Sequence, residues 1–122
     1  KRGLMNAMVS VEGVRTAQER YGVGKRVTSE QARWGYENLN IDESRLKALD
    51  IDDIMRPIKT TCADHMGPAA ARAYLWDGKA WKVNSDWLTA DPAIIQPLIE
   101  DAVKRGVAEQ KFTVRTPEDC AH

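Results

Sequence analysis

Two small clusters hold the residues best suited to chemistry. Cys62, Asp64 and His65 lie near the middle of the chain, and Cys120 and His122 lie at its end. Between them they contain both cysteines and both histidines. Three chemistries fit. Cys62, His65, Cys120 and His122 are the soft and borderline ligands that zinc takes, although their spacing is a poor match to known zinc modules. Cys62 and Cys120 could instead close a disulfide across 58 residues. Loop-closure entropy makes such a bridge worth roughly 4 kcal/mol, and it needs an oxidising compartment. The third reading is two unrelated free thiols. Zinc ranks below the other two, which residues alone leave open. As a nucleophile and base, Cys62 and His65 are too close in sequence to face each other along a strand, and no oxyanion-forming loop accompanies them. Asp64 beside His65 could act as an acid–base pair, but isolated histidines are more often structural.

Other catalytic signatures are missing. There is no phosphate-cradling glycine loop, no Gly-x-Ser-x-Gly and no pair of metal-spaced carboxylates. An enzyme is therefore not expected, nor is a cofactor. The 122 residues fit one domain with a modest core. Eighteen basic and eighteen acidic residues cancel, which argues against nucleic acid as a partner, since phosphate binding needs clustered Lys and Arg. No apolar run approaches the roughly 20 residues that cross a bilayer. No signal peptide is visible after Lys1-Arg2. Leu4, Met8, Val11 and Val14 already recur at helical spacing with no cap before them, which reads as a truncated start.

The elements that must position the clusters follow from spacing and punctuation. Arg2 to Tyr21 predicts an amphipathic helix with Leu4, Met5, Met8, Val9, Val11 and Val14 on its apolar side. Glu12, Arg15, Gln18, Glu19 and Arg20 take the other side, and Gly22 and Gly24 end it. Thr28 as N-cap with Gln31 forms a capping box for a second helix through Trp34 and Leu39. Asp42 caps a third, short helix to Leu49 with Leu46 and Leu49 inward. Pro57 to Cys62 alternates like a half-exposed strand, and Ala63 to Ala71 reads as a loop. Tyr74-Leu75-Trp76 and Ala80-Trp81-Lys82-Val83, joined by Asp77-Gly78, predict a hairpin with a type I′ turn. Asp91-Pro92 opens a last helix whose stripe is Ile94, Ile95, Leu98, Ile99, Ala102, Val103 and Val107, with Pro97 as a kink or late start. Phe112-Thr113-Val114 suggests a short extended piece.

Several of these runs also carry a resemblance. Arg2-Gly3-Leu4, Asn6-Ala7, Val11-Glu12 and Arg15-Thr16-Ala17 resemble a late helix of the substrate-binding proteins of branched-chain amino-acid-type ABC transporters. So do Thr28 to Leu39, Cys62-Ala63-Asp64-His65, Trp76-Asp77-Gly78-Lys79 with Trp81-Lys82, Ser85-Asp86-Trp87 and the closing Asp119-Cys120. The resemblance implies an α/β parent of the type I periplasmic binding fold, two lobes that close around a solute. The present chain would be its C-terminal portion, itself α+β, with three helices, a strand, a hairpin and a final helix. Residues 1–62 would belong to the second lobe, 63–71 to an interlobe crossing loop, and 72–122 to the return into the first lobe. It further implies a periplasmic location, a Cys62–Cys120 disulfide, an amino acid or related solute, and an ABC transporter permease as partner. The family's gripping groups come mostly from the part ahead of this segment, which leaves Asp64 and His65, at the cleft edge or hinge, as ligand-binding candidates. The other expectation is a freestanding interaction domain. In either case Met5, Met8, Val9 and the Ile94–Val103 stripe lack cover, so the isolated piece is expected to self-associate.

Overall fold

The computed structural model describes residues 2–116 and 118–120. They form four helices and six very short strands in two compact units. One unit comprises residues 1–68 and 115–122, the other residues 69–114. His122, weighed above as a zinc ligand, lies outside the described residues.

In the first unit, α1 runs Arg2–Tyr21. It ends where Gly22, at φ +127°, donates its N–H to the Gln18 carbonyl at 2.8 Å, a left-handed termination that glycine adopts without a Cβ penalty. Helix α2 is Ser29–Glu37. Its capping box is complete: Thr28 Oγ1 accepts from the Gln31 N–H, and Gln31 Oε1 accepts from the Thr28 N–H. Helix α3 is Glu43–Ala48, with the Asp42 carboxylate accepting from the Arg45 N–H at 2.7 Å. The core is small and continuous. Leu39, Ile41, Leu46, Ile51 and Met55 are buried, with Met5, Met8, Val9, Leu49, Ile54 and Ile58 packed against them.

Helices α1 and α2 cross where Gly13, Ala17 and Gly35 are all buried. A Cβ on Gly35 would stand 2.1 Å from the Gly13 carbonyl oxygen, so the crossing depends on a residue without one. Beside it, Trp34 takes the edge of Tyr21 at 5.7 Å, and the Arg20 guanidinium lies 4.5 Å above the Trp34 ring. Tyr36 crosses back to donate to the Ser10 carbonyl.

The polar side expected for α1 is corrected at Glu12, which is only 1% exposed, while Leu4 and Val11 are well exposed. Burial of this carboxylate is tolerable because it is fully paired. Arg45 donates to both of its oxygens, from Nε at 3.0 Å and Nη2 at 2.5 Å, and Arg15 Nε donates at 2.8 Å. The Arg45 hydrogen bonds are the main influence and hold the Glu12 carboxyl below the usual carboxylate range. Burial opposes them, and Arg15 adds to them.

The strand expected over residues 57–62 shrinks to β2, Ile58–Lys59. Its partner, β1 at Asn40–Ile41, is too short to show any alternation in the sequence. The two pair antiparallel, Asn40 opposite Lys59 and Ile41 opposite Ile58. Thr60 prolongs the contact by donating its N–H to the Leu39 carbonyl at 3.0 Å. The cysteines settle their own question: Cys62 and Cys120 form a disulfide with Cα atoms 5.6 Å apart. Both sulfurs are thereby used, so neither is a thiolate ligand for zinc.

In the second unit, β3 is Ala70–Ala71, at the end of the stretch read as a loop, and pairs antiparallel with β6, Leu88–Thr89. The hairpin is β4, Tyr74–Trp76, with β5, Trp81–Val83. Its turn departs from expectation. Trp76 pairs with Trp81, and the Asp77 N–H donates to the Ala80 carbonyl at 3.1 Å. Gly78 and Lys79 are therefore the central residues, and of these only Gly78 has positive φ, +96°. That is the requirement of a type II′ turn. The cause is the Asp77 carboxylate, which accepts from the N–H groups of Lys79 (2.8 Å) and Ala80 (2.7 Å) and so fixes Asp77 as the closing residue. These same bonds, that of Ala80 first, lower the Asp77 pKa.

Helix α4 spans Pro92–Gln110 without interruption. Asp91 caps it by accepting from the Ala93 N–H at 2.9 Å, and Pro92 takes the first turn. Pro97 lies within the helix rather than ending it. Residues 112–114 form no strand. Instead the Phe112 ring lies on Gly106, where a Cβ would be 2.8 Å away.

Candidate functional site

The first unit carries a recess of about 420 Å³. Its apolar wall is Val9, Leu39, Ile58, Met66 and Pro68, and its polar wall is Arg33, Tyr36, Glu37, Thr60 and His65. Each element contributes for a local reason. Helix α2 presents Arg33 and Glu37 one turn apart on one face. Strand β2 delivers Ile58, and Thr60 fastens the next step by donating from Oγ1 to the Tyr36 carbonyl. The loop at 64–68 closes the rim.

Glu37 is the centre of this wall. It is 9% exposed, and a buried carboxylate needs compensation. Arg115 supplies most of it, donating from Nη1 to Oε1 of Glu37. Arg33 Nε is 3.9 Å and His65 Nε2 is 4.0 Å from the same oxygen. Arg115 also donates to the Cys62 sulfur at 3.4 Å. The disulfide thus anchors the segment that carries Arg115, and Arg115 neutralises Glu37. Glu37 Oε1 is thus held by Arg115 at the polar wall of the recess. The recess can accept an apolar group beside a polar rim that carries Arg33, Glu37 and His65.

Of the two expected ligand-binding residues, His65 lines this recess and Asp64 does not. Asp64 organises the loop. Its Oδ1 accepts from the Met66 N–H at 2.9 Å, and its own N–H donates to Thr61 Oγ1 at 2.9 Å. Its carbonyl accepts from the Thr61 N–H at 2.8 Å. Glu37 and Arg115 were not anticipated. The i, i+4 spacing of Arg33 and Glu37 was a faint signal for the first. Nothing in the sequence pointed to an ion pair spanning 78 residues.

Among the described residues no helix is long and apolar enough to cross a membrane, and no cluster of His, Cys, Asp or Glu could hold a metal ion. Comparison with solved proteins adds one finding. The chain is similar to a crystal structure described as an ABC transporter permease from the Pseudomonas fluorescens group, at 42% identity and a TM-score of 0.85. The match covers 93% of this chain and 27% of that chain, so the present chain spans about a quarter of the length of the protein it matches. No family model matches the chain, and no curated protein matches it.

That finding overturns the family resemblance drawn from the sequence. A match extending over nearly the whole chain is to a permease and not to a substrate-binding protein. The identification as a binding-protein segment, the role of delivering solute to an importer and the associated class are therefore withdrawn. The physical reason is visible in what the matching runs do. Thr28 and Gln31 cap a helix, Asp77 and Gly78 close a turn, and Trp76 packs on Trp81. Such residues determine how a backbone is built, and function does not follow from them.

Proposed function

We propose that this chain is a part of an ABC transporter component that does not itself span the membrane by a helix. The observation that carries this reading is the 42% identity, sustained over 93% of the chain, to a protein described as an ABC transporter permease. The absence of a spanning helix among the described residues and the 27% share of that chain support assignment to a portion outside the bilayer. The Cys62–Cys120 disulfide supports a periplasmic placement, because such bridges persist in oxidising compartments and are rare in the cytosol. In this reading the recess at Glu37 and His65 is a contact site of that portion, with His65 on the accessible rim.

The test is co-purification. The chromosomal gene product carrying an affinity tag is extracted with mild detergent, and its companions are identified by mass spectrometry. An ATP-binding transporter subunit enriched over an untagged control is the expected result. Recovery of the tagged protein with no transporter subunit would count against the reading.

A further inference from the structure

The second unit poses a physical problem that the chain does not solve. None of its described residues is buried. Along α4, Ile94 is 64% and Leu98 61% exposed, and Val103 and Val107 remain open. Across the hairpin, Leu75, Trp76, Trp81 and Val83 are exposed, as is Leu88 on β6. Two-stranded ladders of two or three residues are not stable in water alone. Amphipathic helices draw most of their stability from packing of the apolar face. Large uncovered apolar side chains grouped on an element mark an interaction site.

We propose that this face is a docking surface for a further polypeptide of roughly 300 residues, the counterpart of the part of the permease chain that the present chain does not cover. The length follows from the match. Since 93% of 122 residues is about 113, and these are 27% of the other chain, that chain has about 420 residues and leaves about 300 beyond the match. The occupant's chemistry follows from the face. Ile94 and Leu98 form an exposed i, i+4 row of α4, and the row beside it, Ile95 and Ile99, is half-buried and so still partly open. Two adjacent rows of branched side chains make a broad strip, wider than a coiled-coil seam, and suit the flat apolar side of a β-sheet. The β3–β6 and β4–β5 ladders are separate pairs with open edges, and open edges accept further strands. The partner is therefore a sheet-bearing polypeptide. The inference rests on the structural match and not on the transport reading.

The test grafts this chain into the Pseudomonas fluorescens-group protein in place of its matching portion and measures cysteine labelling at two positions. Leu98→Cys lies on the apolar strip. Lys104→Cys lies opposite it on α4. Both native cysteines are occupied by the disulfide. In the free chain both introduced thiols should react with a maleimide at similar rates. In the graft, Leu98→Cys should slow at least tenfold, with Lys104→Cys unchanged. Equal labelling of Leu98→Cys in graft and free chain overturns the proposal, and so does a graft that fails to fold where the parent folds. Protection of Leu98→Cys in the free chain that rises with concentration also overturns it, since a second copy would then be the occupant. None of these readings depends on whether a transporter subunit co-purifies.

Discussion

Glu12 shows how a single residue can defy its pattern and still be explained. Helical spacing put it with Arg15 and Glu19 on the wet side of α1, yet it is 1% exposed. Arg45, which decides the matter, arrives from α3, 33 residues away. No local pattern encodes that encounter. The consequence is a pH dependence whose sign can be worked out. The folded pKa of Glu12 is lowered, chiefly by the Arg45 hydrogen bonds. Its contribution to stability is therefore fully present above the unfolded value, about 4.3, and is lost as pH falls through the lower folded value. Glu12→Gln should cost about 1–3 kcal/mol at pH 7, the range for a hydrogen-bonded charge whose partners are left unpaired. Urea titrations of the two proteins should diverge at pH 7 and converge towards pH 3. Curves separated equally at both pH values would show that the carboxylate's charge is not what matters.

At the scale of elements, legibility followed the range of the interactions involved. The bounds of α1, the capping box at Thr28, the Asp42 and Asp91 caps and the hairpin strands were all readable, because each depends on residues within nine positions of one another. β1 was not readable, because two residues carry no alternation and their pairing partners lie 17 and 19 positions on. The site divided in the same way. His65 stood out by residue type, whereas Glu37 and Arg115 acquire their roles only when the disulfide brings the tail back. The α1–α2 crossing is a further case: Gly35 reads in sequence as a weak point in a helix, and in the structure it is the contact itself. Gly35→Ala should destabilise the first unit by about 1–3 kcal/mol or more, since the new methyl meets the Gly13 carbonyl, which is backbone. Gly13→Ala should cost less. Its Cβ would meet the Tyr36 ring at 2.4 Å, and a half-exposed ring can swing away at the loss of one hydrogen bond to Ser10. Thermal melts of both variants check the order, and a Gly13→Ala protein less stable than Gly35→Ala would refute the account of the crossing.

Taken whole, the molecule is unequal. The first unit has buried aliphatic residues, a satisfied buried ion cluster and a covalent bridge across 58 residues. The second has turns and caps in good order and nothing buried. Local signals are thus as strong in 69–114 as in the rest, and it is burial that distinguishes the two. Because opening free energy follows buried contacts rather than local propensity, amide exchange should divide the chain at these limits. In dilute solution, amides of α1 and α2 around Ala17 and Gly35 should exchange slower than those of α4 by roughly a hundredfold, about 2.8 kcal/mol at 1.4 kcal/mol per decade. Fragment-resolved deuterium uptake at neutral pH measures this directly. Helix α4 should gain protection only when its Ile94–Leu98 strip is covered. Protection of α4 equal to that of α1 in the dilute free chain would mean that capping and helical propensity suffice to hold a 19-residue helix, and that exposure of its stripe costs the chain nothing.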